Sequence, residues 1–135
     1  MKAETLDTNV ILRYILRDNE KHFSRASRLL NDQRFIKFRA TDAALIETVH
    51  VLEFCYKLPR EYIRDQITDF LSIETIVSSP DFNIPIALSL YANRPKLSFM
   101  DCYLASETEK SGASPLWTFD KKLASQSPVA KEVPE

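Results

Sequence analysis

Four carboxylates, Asp7, Glu47, Asp101 and Asp120, are spread through this 135-residue chain at points that an α/β fold could bring together. Gathered acids repel one another unless a cation stands between them. Hard oxygen donors of this kind favour Mg²⁺ or Mn²⁺. A divalent cation held by carboxylates suits phosphate chemistry, where it offsets charge and makes a water more acidic.

Each acid also has a plainer reading. Asp7 and Asp120 each stand just before a helical pattern and suffice as N-caps. Ser98-Phe99-Met100-Asp101 fits a capping box, with Ser98 as cap and Asp101 three positions on. Glu47 differs, because it lies in mid-helix and caps nothing. Helical spacing puts it on one face with Ala43, Ala44, Val51, Phe54 and Leu58. We expect that face to be the apolar one, where a carboxylate needs a salt bridge, a metal or a bound water. Glu47 and His50 have the Glu-x-x-His spacing of di-iron bundles, but such sites need two pairs and more glutamates, so that chemistry is set aside. His50 is expected on the helix surface, and His22 has no evident partner. No Ser/His/Asp or Cys/His arrangement stands out.

The elements that must position these acids can be read from periodicity. Residues 2–6 read as a strand, and Asp7-Thr8-Asn9 opens a helix running to about Leu16. Asp18-Asn19-Glu20 breaks it, and Phe23, Ala26, Leu29 and Leu30 mark a second helix. Residues 35–40 alternate apolar and basic side chains, a strand pattern. Thr41-Asp42 caps a third helix reaching about Tyr56. Pro59 serves as the first residue of a fourth, with Tyr62, Ile63, Ile67, Phe70 and Leu71 facing inward. Residues 74–78 form a third strand. Ser79-Pro80 opens a fifth helix, irregular near Pro85. Ser98 caps a sixth, which stops at Gly112. Residues 115–119 are a fourth strand, Asp120 caps a short last helix, and residues 126–135 add an edge strand before fraying. This alternation predicts one α/β domain over 1–135, an α/β/α sandwich around a mostly parallel sheet of four to five strands. Ligands in such sheets sit beyond the carboxyl ends of strands, where Asp7 and Asp120 fall.

Composition narrows the function classes. The net charge is −1, so the whole chain has no general attraction to nucleic acid. The distribution is uneven: residues 1–40 carry nine Lys/Arg against five acids. That excess could grip a phosphate backbone. Gly112 is the single glycine, which excludes phosphate-cradling glycine loops and dinucleotide fingerprints. Cys55 and Cys102 lack metal-type spacing and read as buried, reduced thiols. No apolar run suits a membrane and no segment resembles a signal peptide, so a cytoplasmic protein is expected.

The motifs resemble those of PIN-domain ribonucleases. Leu6-Asp7-Thr8-Asn9-Val10-Ile11 looks like their opening motif, and residues 45–52 resemble the helix that carries their glutamate. Residues 98–105 resemble the segment with the third acid, and Thr118-Phe119-Asp120 the motif with the fourth. The match runs from residue 2 to about 125. Cys102-Tyr103 is bulkier than the small apolar pair common after the third acid. Size and the lack of further domains are similar to VapC-type toxins of toxin–antitoxin pairs.

The resemblance implies a metal-dependent endoribonuclease, the toxin of a type II pair, that forms a homodimer and is held inactive by a small antitoxin. In that reading Asp7 and Asp101 hold Mg²⁺ (or Mn²⁺), with Glu47 and Asp120 completing the site directly or through waters. Thr8, Asn9, Ser98 and Thr118 orient ligands or bind phosphate oxygens. Arg13 and Arg17 contact the RNA backbone. The alternatives are a catalytically silent PIN module that binds RNA or a protein partner, and a phosphatase of the haloacid-dehalogenase type. The latter wants Asp-x-Asp at the first strand, where this chain has Asn9.

Overall fold

Short strands that each run into a capped helix set the local architecture. The computed structural model describes residues 3–32, 36–81 and 83–135. They fall into two compact units, residues 1–80 and 81–135.

In the first unit β1 (Ala3–Thr5) leads into α1 (Thr8–Leu16) and α2 (Glu20–Leu30). β2 (Lys37–Arg39) leads into α3 (Asp42–Phe54) and α4 (Arg60–Leu71), and β3 (Ile76–Val77) follows. Phe35, expected to start the second strand, lies outside the described residues. The three strands are parallel in the order β1-β2-β3, with Glu4 opposite Phe38 and Phe38 opposite Ile76. Parallel neighbours need crossovers, and the paired helices supply them.

The caps explain the boundaries. Asp7 precedes α1, Asn19 Oδ1 accepts from His22 N at 3.0 Å, and Thr41 Oγ1 accepts from Ala44 N at 3.1 Å. α1 ends where Arg17 turns left-handed at φ 54°. α1 packs on α2, α3 and α4. Ile11, Leu12, Ile15, Leu30, Phe38, Leu45, Val49, Leu52, Ile63, Ile67 and Phe70 are among the buried core residues of this unit. Full burial of one such side chain contributes roughly 1.5–3 kcal/mol. Ile63, Ile67 and Phe70 face inward as the spacing predicts, whereas Tyr62 is exposed.

Three expectations are corrected here. Pro59 has extended backbone (ψ 149°) and caps α4 instead of opening it. Cys55 is exposed, because α3 ends at Phe54 and Cys55 falls on the cap; only Cys102 is buried. The fifth helix begins at Asn83, not at Ser79-Pro80. Pro85 therefore stands in its first turn, where a missing N–H removes no helical bond.

In the second unit α5 (Asn83–Asn93) and α6 (Phe99–Ser111) pack together, with Tyr91 and Phe99 edge-to-face at 5.4 Å. The capping box at Ser98 forms as the sequence predicts, and Gly112 closes α6 at φ 73°. β4 (Leu116–Thr118), α7 (Lys121–Gln126) and β5 (Ala130–Glu132) then make a parallel pair, with Trp117 opposite Lys131. Among the described residues the strands hydrogen-bond as a set of three and a set of two, one set in each unit.

Candidate active site

In the first unit the carboxyl ends of β1 and β2 open onto a cleft of about 470 Å³. Asp7 and Glu47 both line it, with Thr5, Thr8 and Thr41 between them. Asp7 reaches the cleft because β1 ends two residues before it. Glu47 reaches it from the second turn of α3, whose first turn is fixed by the Thr41 cap. Among the described residues no Lys, Arg or His lines this cleft and neither acid pairs with a cation. Two carboxylates beside three hydroxyls, with no counter-charge, form a donor set of the hard, all-oxygen kind that fits Mg²⁺ or Mn²⁺.

Glu47 does not sit as its periodicity predicts. It is exposed, and the buried stripe of α3 is Leu45, Thr48, Val49 and Leu52. Apolar side chains run round most of this helix, so two stripes compete at helical spacing. The one carrying Glu47 lies outward, with Ala43 and Phe54 exposed and Ala44, Val51 and Leu58 half-buried. Burial therefore gives no reason for a carboxylate here; the cleft does. His50 is exposed as expected, its ring 4.8 Å from that of Phe54.

The three aspartates cap helices, as their plain reading requires, but each uses only one oxygen for it. Asp7 Oδ1 accepts from Thr8 N at 2.9 Å. In the second unit Asp101 Oδ2 accepts from Ser98 N at 3.1 Å, and Ser98 Oγ accepts from Asp101 N at 3.0 Å. Asp120 Oδ1 accepts from Lys122 N at 2.8 Å and Leu123 N at 3.4 Å, and Thr118 Oγ1 accepts from Asp120 N at 2.9 Å. Capping thus orients each carboxylate and leaves its second oxygen without a hydrogen bond among the described residues. The cap and the ligand are compatible roles. Among the described residues no group of three or more His, Cys, Asp or Glu stands close enough to hold a metal ion.

The family is decided by the span of one match: a PIN domain model covers residues 5–127. The chain belongs to the PIN domain family. The α/β elements and parallel strands are those of a PIN-like fold. PIN domains are generally nucleases and generally use divalent metals. A similar solved structure is a chain of VapBC2 from Rickettsia felis bound to a DNA fragment from their promoter. It is 16% identical, covers 97% of this chain and 98% of its own, and has a TM-score of 0.41. No curated protein matches. Among the described residues no helix is long and apolar enough to cross a membrane.

The supporting residues divide. Thr8 is buried and gives its backbone N–H to Asp7, Ser98 and Thr118 hold Asp101 and Asp120, and Asn9 faces a different cleft. The two arginines expected on RNA are engaged within the chain. Arg13 Nη1 donates to both oxygens of Asp18 at 2.9 and 3.1 Å. The Tyr56 hydroxyl foremost raises the Arg13 pKa above its ordinary value, against a desolvation that lowers it, and Asp18 adds to the rise. Arg17 stacks 4.5 Å over the Phe23 ring. Thr41, like Thr5, lines the acidic cleft although the motifs do not name it. Its signal is its place just past the second strand, the same kind of position that singles out Asp7.

Proposed function

We propose that this PIN-domain protein is a metal-dependent endoribonuclease, the toxin of a type II toxin–antitoxin pair. The observation that carries the reading is the cation-free cleft at the ends of β1 and β2, lined by Asp7 and Glu47. Asp101 and Asp120 enter through the motif match, with one oxygen of each held by a backbone N–H and the other available. The small antitoxin, the homodimer and the cytoplasmic setting follow from the resemblance to VapC-type toxins.

When bound, Mg²⁺ or Mn²⁺ supplies Lewis acidity and offsets the charge that develops on the phosphate. By the resemblance to PIN-domain ribonucleases, Asp7 and Asp101 would hold it, and Glu47 and Asp120 would complete the set directly or through waters. The chain's own contribution is orientation. Thr8 N–H, Ser98 N–H and Lys122 N–H fix one carboxylate oxygen each before a ligand arrives, so little ordering remains when substrate binds. Glu47 stands on α3 at the cleft, where it would reach the ion directly or through a bound water.

The test is incubation of purified protein with single-stranded and structured RNA, with Mg²⁺, with Mn²⁺ and in EDTA, beside Asp7→Asn. Metal-dependent cleavage that Asp7→Asn lacks supports the reading. RNA binding in EDTA with no turnover under either metal moves the assignment to a catalytically silent PIN module.

A further inference from the structure

A second cleft of the first unit, about 740 Å³, lies between α1 and α2. One face of α2 lines it, through His22, Arg25, Ala26 and Leu29, which follow i, i+3, i+4, i+7 spacing. Asn9, Val10 and Arg13 line it from α1, and Asn19 from the α2 cap. No carboxylate is among these residues.

Two cationic or N–H-bearing side chains here, Arg25 and His22, are not otherwise engaged among the described residues. Arg25 and His22 are exposed, and among the described residues neither side chain has a hydrogen bond or ion pair. His22 presents an N–H whichever nitrogen carries the proton. Arg13 is less available: its Nη1 is held by Asp18, its Nη2 by the Tyr56 hydroxyl, and its Nε is buried. Asn19 commits its oxygen to the helix cap, which leaves its amide N–H groups. Beside these donors stand Leu29, 43% exposed, the half-buried Val10 and, behind them, the buried Ala26. Donors grouped next to an apolar wall suit a ligand that is anionic on one side and flat and apolar on the other.

We propose that the α1–α2 cleft is a nucleotide subsite for single-stranded nucleic acid: Arg25 and His22 take a phosphate, and a base lies against Val10, Ala26 and Leu29. The first turn of α1 links it to the acidic cleft, since Asp7 and Thr8 line one and Asn9 and Val10 the other. One strand could therefore meet both within about one helical turn. The subsite deepens the nuclease reading and rests on it for its place in the reaction, but its binding is measurable without catalysis.

The experiment is titration of a fluorescently labelled single-stranded RNA oligonucleotide with the full chain in EDTA over a range of salt. Arg25→Ala should bind roughly tenfold more weakly at low salt, with a salt slope shallower by about 0.7, the value for one released phosphate contact on a single strand. Leu29→Ala should weaken binding roughly threefold and leave the slope unchanged, because it removes apolar area and no charge. Lys131→Ala, exposed on β5, matches the charge change of Arg25→Ala and should bind as wild type. Wild-type affinity and slope in both cleft variants overturns the proposal. So does a polyglutamate peptide that binds the wild type and is lost in Arg25→Ala while RNA binding is untouched, which would make the cleft a seat for an acidic protein segment. Failure of the nuclease reading is separate: it would appear as no cleavage by wild type under either metal, with the EDTA titrations still sensitive to Arg25.

Discussion

The two clefts of the first unit share one turn of one helix and have opposite chemistry. The cleft at the strand ends has two carboxylates, three threonines and no cation. The α1–α2 cleft has cations and amides and no carboxylate. Of four consecutive residues, Asp7 and Thr8 line the first and Asn9 and Val10 the second. A helix changes direction by about 100° per residue, so neighbours in sequence serve different walls. A unit whose overall charge says little about nucleic acid can in this way hold a cation-binding edge beside an anion-binding one.

The sharpest way to break this contrast is at Asp7. Asp7→Asn keeps the cap, since the amide oxygen can still accept from Thr8 N, but removes the charge. Metal-dependent RNA cleavage should fall by at least about 100-fold, the upper cost of disturbing a residue one shell further from a metal. RNA binding in EDTA, read by the same titration, should persist. Loss of both together would mean that the two clefts are not separable. Glu47→Gln comes next. Glu47 is exposed and has no ion pair among the described residues, so folding should be untouched while cleavage drops roughly tenfold. Thermal unfolding beside a single-turnover cleavage assay checks both halves, and a normal rate would remove Glu47 from the site.

The helix caps that orient the three aspartates were legible in sequence because they are local. Asp7, Asp101 and Asp120 stand at strand-to-helix or loop-to-helix junctions, and a cap signal and a ligand signal coincide at such places. The capping box at Ser98 and the stop at Gly112 were legible for the same reason. The inward face of α3 was not. With apolar residues on most sides, periodicity offered two stripes, and only tertiary packing chose Leu45, Thr48, Val49 and Leu52 over the one with Glu47. The basic side was hidden differently. His22, Arg25, Ala26 and Leu29 form no motif, and become a surface only when α1 lies alongside α2. Arg13 and Arg17 drew notice by following the Asp7 motif, yet Asp18, Tyr56 and Phe23 engage them, and the unengaged cations are elsewhere. The Arg13–Asp18 pair, five residues apart, could not be foreseen from helix spacing because α1 ends between them.

Thr41 tests whether the acidic cleft can be loosened without touching the other. Its hydroxyl caps α3 through Ala44 N. Thr41→Ala should lower stability by about 1 kcal/mol, seen as an earlier urea midpoint at unchanged slope. It should also reduce cleavage modestly, because Glu47 rides on that helix, while the RNA affinity in EDTA stays constant. A change in affinity with no change in midpoint would place Thr41 in the RNA contact and not in the scaffold.

The smallest effect should have the opposite sign. Asp18 neutralises Arg13, which lines the basic cleft. The pair is partly open to solvent, with side chains 24% and 38% exposed, so breaking it should change stability by less than about 1 kcal/mol. In Asp18→Asn the Arg13 guanidinium keeps its Tyr56 hydrogen bond and regains its charge toward the cleft. RNA should then bind more tightly in EDTA, roughly threefold at low salt, with a salt slope steeper by up to about 0.7. That gain should disappear in the Asp18→Asn, Arg13→Ala double variant, because the released charge is the whole of it. Tighter binding that survives the loss of Arg13 would mean that Asp18 acts as a general repulsive charge, and the line drawn between an acidic and a basic cleft would have to move.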